Sequence, residues 1–141
     1  MSEKLIEICV DSNEASTRKD IVNLLRLSGV EVNIKKLPVC DYLISDRCGV
    51  ERKDVNDFLS SVKDGRLFKQ ANDMADNYER PILILEGRMS NALKRSRMKP
   101  NSIYGALSSI ILDYNFNILS TEDTESTSIF LHRLAYREQV K

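Results

Sequence analysis

The apolar positions of this 141-residue chain fall into short blocks whose spacing alternates between two residues and three to four. LIEICVD, residues 5–11, reads as a strand. In EASTRKDIVNLLRLSG, Ile21, Val22, Leu24, Leu25 and Leu27 form a helical stripe that Gly29 closes. VEVNIKKL alternates through Val30, Val32 and Ile34, which predicts a second strand with one solvated face. CDYLIS and GVERK, joined by a turn near Asp46 to Cys48, predict a β-hairpin. Asp54 can cap the following helix, DVNDFLSSVKDG, and RLFKQANDMADNYE carries Leu67, Phe68, Ala71, Met74, Ala75 and Tyr78 at helical spacing. PILILEG is a continuous apolar run of strand length, expected where a strand is buried on both faces. After Gly87 the periodicity lapses and a loop is expected. Pro100 and Asn101 then start a helix over SIYGALSSIILDYN, FNILST gives a last strand, and STSIFLHRLAYREQ closes the chain as a helix. Strands alternating with helices around a hairpin predict an α/β sandwich with a mixed central sheet in a single domain.

Composition narrows the setting. Apolar residues make up 42% and charged residues 30%, which suits one folded domain with a true core. No apolar run approaches the roughly 20 residues of a membrane helix. MSEKLIEICVD has an acid at position 3 and none of the regions of a signal peptide, so the expected location is cytoplasmic, or nuclear in a eukaryotic source. The three cysteines match no metal-ligand spacing and His132 is the only histidine, so Cys9, Cys40 and Cys48 are read as reduced and mostly buried. Net charge is zero, yet RMSNALKRSRMK concentrates Arg88, Lys94, Arg95, Arg97 and Lys99 without an acid. Such a local basic segment can meet phosphate on an otherwise neutral domain.

The hairpin carries the candidate chemistry. A turn centred near Asp46 sets Asp41 opposite Glu51, about 5 Å apart at Cβ. Alternation puts Glu51 and Lys53 on one face and Arg52 on the other. Two convergent carboxylates beside a lysine suit a hard divalent cation such as Mg²⁺ or Mn²⁺ and the hydrolysis of a phosphodiester. The same letters also fit surface ion pairs on a solvated hairpin. Asp57 fits the third position of a capped helix as well as an active site, and Asp11 and Glu14 fit the start of the first helix.

ERKDVNDF, with Asp41 upstream, resembles the ERKxxxD signature of the XPF/Hef family of structure-specific DNA endonucleases. FLSSVKDGRLFKQ, NYERPILILEG and the tail from SIYGALSSII onward are similar to that family's nuclease domain in order and spacing, over nearly the whole chain. The resemblance implies a restriction-endonuclease-like α/β/α fold and cleavage of branched DNA, such as 3′ flaps and forks, in repair or recombination, with Mg²⁺ or Mn²⁺ as cofactor. It implies catalytic roles for Asp41, Glu51, Arg52, Lys53 and Asp57, with Asp41, Glu51 and Asp11 as metal ligands. Arg52, facing away, is expected to be a brace. Two departures stand out: Cys40 replaces the family's glycine before Asp41, and Asn13 replaces an arginine. Cys40 is expected to matter little if the backbone there is plain β.

No helix-hairpin-helix or helicase segment is found in residues 1–141, so weak, salt-dependent DNA binding is expected. The resemblance also implies a homodimer, or a heterodimer with a related subunit, and a sliding clamp or a helix-hairpin-helix protein as further partner. Ile103, Leu107, Ile110, Ile111 and Phe116 are the candidate interface, with a place in the chain's own core as the alternative. A non-catalytic partner subunit is the rival function, against which the intact Asp41, Glu51, Arg52, Lys53 and Asp57 set argues.

Overall fold

The computed structural model describes residues 5–141; the start of MSEKLIEICVD lies outside them. In chain order the elements are β1 (Glu7–Asp11), α1 (Ser12–Thr17), α2 (Lys19–Leu27), β2 (Glu31–Lys35), β3 (Tyr42–Ser45) and β4 (Cys48–Asp54). There follow α3 (Val55–Lys63), α4 (Arg66–Asn77), β5 (Arg80–Glu86), α5 (Met89–Arg95), α6 (Pro100–Asp113), β6 (Asn117–Thr121) and α7 (Thr124–Gln139). One mixed sheet runs β2-β1-β3-β4-β5-β6. β1 and β2 pair in parallel, as do β4, β5 and β6, and β3 joins the two groups by antiparallel pairing on both sides.

Strand alternation divides the apolar residues between two cores. Ile8, Val10, Tyr42, Ile44, Val50, Ile82 and Ile84 pack with α1, α2 and α7, and Leu83 and Leu85 pack with α3 to α6. β5 is the inner strand that its unbroken apolar run predicts: every residue from Pro81 to Glu86 is buried. The architecture is the expected α/β/α sandwich.

Two local features depart from the expected elements. The first helix is broken at Arg18, whose φ of −125° and ψ of 57° end α1 and admit α2. Ser16 and Thr17 hydroxyls bond back to the Asn13 carbonyl at 2.9 and 3.1 Å, an alternative to helix continuation that these side chains favour. The break frees Arg18 to reach Glu86 under the sheet. The basic segment is not a plain loop. Met89–Arg95 forms a short helix that buries Ala92 and rests Met89 and Leu93 on the α3–α6 core. Its apolar residues are too few for periodicity to reveal it.

Candidate active site

The hairpin pairs Tyr42 with Val50 and Leu43 with Gly49, a register that runs on to set Asp41 toward Glu51. Asp41 itself sits just before β3 and is held by the backbone on both sides. Its N–H donates to the Val50 carbonyl and its carbonyl accepts from Asp11 N–H, both at 2.9 Å. Its carboxylate oxygen Oδ2 accepts from Arg52 N–H at 2.9 Å. Glu51 and Lys53 leave β4 on the same side as Leu83 and Leu85, toward α3–α6, and Lys53 Nζ stands 3.9 Å from Glu51 Oε2. Burial pushes Asp41 well above the ordinary carboxylate range, and the Glu51 charge pushes it further. Burial also raises Glu51, against the pull of the Lys53 cation. Two acids whose ionisation burial disfavours are a donor set that a divalent cation satisfies.

Asp11 is held by two backbone amides. Its Oδ1 accepts from Leu37 N–H at 2.8 Å and its Oδ2 from Asn13 N–H at 3.2 Å, so it closes the turns after β1 and β2. Among the described residues no three His, Cys, Asp or Glu side chains converge to enclose a metal by themselves. Asp41 and Glu51 each keep a carboxylate oxygen without a donor among the described residues, and a two-carboxylate site suits Mg²⁺, which keeps several water or phosphate oxygens.

Arg52 points to the opposite face, as alternation requires. There its guanidinium donates to Glu14 through Nε and Nη2 and lies 3.4 Å from Glu86 Oε1. Glu14 also accepts from the Tyr42 hydroxyl at 2.5 Å, and Glu86 is bonded by Arg18 and Thr127. Arg18 continues the chain to Asp20 and Thr124. Burial, then the Glu14 charge, raises the Tyr42 phenol far above its usual range. Sequence reasoning missed Tyr42, Glu86, Arg18 and Thr127. The one available signal was Glu86, an acid ending a strand otherwise wholly apolar.

Asp57 is exposed on the first turn of α3, a helix whose N-cap residue, Asp54, makes no side-chain capping bond. Arg88, Lys94, Arg95, Arg97 and Lys99 are exposed on and around α5; Arg88 lies 4.0 Å from Glu122.

The expectation for Cys40 needs correction. Its φ is 79°, in the left-handed region where glycine is unstrained and a side chain is not. The buried thiol donates toward the Tyr42 carbonyl at 3.6 Å and the Tyr78 hydroxyl at 3.4 Å, and burial pushes it up to about 12. The Tyr78 hydroxyl in turn donates to the Val39 carbonyl at 3.0 Å. Its ring lies over Gly49, where an added Cβ would meet it at 2.6 Å. Tyr78 thus clamps the turn that presents Asp41, and Gly49 makes room for the clamp.

The candidate interface also changes. Ile103, Ile110 and Phe116 are buried in the α3–α6 core, because α6 turns that stripe onto the sheet, and Leu107 packs partly against the same core. Of the five, Ile111 alone is exposed; the outer surface of α6 is made by Tyr104, Ile111 and Leu112, with Leu112 80% accessible.

The ERCC4 domain matches residues 10–134. A Methanocaldococcus jannaschii protein that carries the name of an ATP-dependent RNA helicase is 38% identical over 139 residues, 99% of this chain and 16% of that protein. The 3′-flap repair endonuclease Xpf of Saccharolobus solfataricus is 35% identical over 135 residues, 96% of this chain. The present chain spans 57% of that relative. XPF from Aeropyrum pernix superposes with a TM-score of 0.88 at 36% identity, covering 96% of this chain and 66% of that one. Its complex with DNA gives 0.87 at 36% identity, over 94% and 64%. The chain belongs to the ERCC4 domain family.

Proposed function

We propose that this chain is the nuclease unit of a metal-dependent, structure-specific DNA endonuclease that hydrolyses phosphodiester bonds in branched DNA such as 3′ flaps and forks. The observation that carries it is the pair of half-buried carboxylates, Asp41 and Glu51, that converge on one mainly apolar face with Lys53 beside them. The family, and the relatives named as an endonuclease and as a DNA complex, support the same reading. Asp41 and Glu51 would hold Mg²⁺ or Mn²⁺, which when bound supplies charge stabilisation at phosphorus and a more acidic water. The backbone bonds around Asp41 keep that carboxylate in place without adjustment. Lys53 would neutralise charge developing on the phosphoryl oxygens. Arg52 fixes β4 from behind. The exposed bases Lys94, Arg95, Arg97 and Lys99 would take DNA phosphates.

The exposed apolar stripe of Tyr104, Ile111 and Leu112 on α6 supports a dimer, with a second copy or a related subunit, since apolar side chains gathered on one surface gain most from a partner. Light scattering on wild type and Leu112→Glu tests it: a wild-type monomer at high concentration counts against the dimer.

The test of function is incubation with labelled 3′-flap, fork and linear duplex DNA in Mg²⁺, Mn²⁺ or EDTA. Metal-dependent cutting that prefers branches, and is lost in Asp41→Ala, is expected. Absence of cutting under every condition would favour a non-catalytic partner subunit.

A further inference from the structure

Helix α4 carries Gln70 to the edge of the candidate site. Its carboxamide Oε1 is shut off from solvent and has no hydrogen-bond partner among the described residues. A buried amide acceptor without a donor is costly, and methionine would fill the same space without that cost. Gln70 shares a small pocket, about 10 Å³, with Glu51 and Lys53; the other walls, including Leu67, Leu83 and Phe116, are apolar. Lys53 is the one cationic side chain lining that pocket, and an ammonium can only donate. The Lys53 ammonium makes no hydrogen bond to a described side chain: its ion contact to Glu51, at 3.9 Å, is longer than one. A buried acceptor lacking a donor and an ammonium with no close protein acceptor among the described residues therefore line one pocket whose free space is about that of a single water.

We propose that Gln70 is a positioning residue for Lys53. Its carboxamide oxygen accepts from the ammonium, directly or through one shared water, and holds it beside Glu51 where the reacting phosphate arrives. The inference rests on the nuclease reading and adds a residue to it. Without this acceptor the flexible lysine stem would leave the cation spread over several positions, which costs turnover rather than DNA affinity.

The test uses Gln70→Met and Gln70→Glu. In Gln70→Met, removal of the orphan acceptor should leave thermal stability equal or higher, leave KM for flap DNA unchanged, and lower kcat by about 10- to 100-fold. Gln70→Glu keeps an acceptor and should recover part of that loss. In a Lys53→Ala background the Gln70→Met penalty should shrink to less than about threefold, since the two act as one unit. A second readout needs neither metal nor DNA: acetylation of Lys53 in the metal-free protein, followed by mass spectrometry, should be faster in Gln70→Met than in wild type. An undiminished penalty in the Lys53→Ala background, or an unchanged labelling rate, overturns the proposal. If wild type cuts no DNA, the nuclease reading falls, and the labelling rate alone decides whether Gln70 holds Lys53.

Discussion

The two faces of β4 handle charge in opposite ways. On the α1, α2, α7 side, Arg52 is enclosed by Glu14 and Glu86, and these are bonded in turn to Tyr42, Arg18 and Thr127, so the buried charges there have partners. On the α3–α6 side, burial disfavours ionisation of Asp41 and Glu51, the Glu51 charge adds to the cost at Asp41, and, among the described residues, Lys53 has no close protein acceptor and Gln70 Oε1 no donor. Buried charge is kept only where it is paired or where function needs it unpaired. The contrast separates the brace from the chemistry within three consecutive residues, Glu51, Arg52 and Lys53. It also explains why Asp41 needs so many backbone bonds: a carboxylate awaiting a cation must be held by something other than that cation.

The contrast can be broken most severely from the paired side. Arg52→Ala strands Glu14 and Glu86 without their shared cation and should cost about 3–5 kcal/mol in urea unfolding. A loss below about 1 kcal/mol, the worth of an exposed pair, would show the network to be solvated. On the other face the signs reverse. Asp41→Ala should reduce DNA cleavage by two to three orders of magnitude, on the order of a lost transition-state contact, while the metal-free protein remains at least as stable. A destabilised Asp41→Ala would place that residue with the brace.

Acidity separates the faces further. Asp41 and Glu51 are both held above the ordinary carboxylate range in the folded, metal-free protein. As pH rises past about 4, the unfolded chain loses these protons first, so the folded state binds more of them and stability falls with pH. The fall ends once pH exceeds the raised folded values. Bound Mg²⁺ or Mn²⁺ offsets the repulsion, so the rise in Tm on adding metal should be larger at about pH 8 than at about pH 5. Equal shifts at both would detach the metal from this pair.

The smallest expected effect concerns the turn that presents Asp41. Cys40→Ala keeps the left-handed backbone and loses the thiol contacts, so about 1 kcal/mol of destabilisation is expected. Cys40→Gly relieves the strain while giving up the same contacts, and should lie about 1 kcal/mol above Cys40→Ala in denaturant midpoint experiments. If the two variants unfold together, φ at this position carries no cost.

Much of the site was legible before the fold. The spacing of Asp41 and Glu51 about Asp46 foretold their approach, and strand alternation turned Arg52 away from Glu51 and Lys53. The unbroken run of PILIL foretold an inner strand. Legibility failed where partners come from distant elements. Arg52 meets Glu14 and Glu86 at separations of 38 and 34 residues, and no local pattern signals either contact. The bond of Asp11 to the Leu37 amide, 26 residues away, was likewise beyond local pattern. In α6, Ile103 and Ile110 looked equally suited to a core or a partner, because helical spacing says which residues share a stripe and not what the stripe faces.

The sequence by itself determined the period of each element, the hairpin register and the family signature, because these depend on neighbours a few residues apart. Tertiary structure alone decided which face of β4 is saturated and which is open, that Cys40 stands at φ 79°, and that Gln70 and Lys53 share one pocket. Those outcomes depend on side chains brought together across the sheet, where burial makes an unmet hydrogen bond or charge expensive and therefore informative.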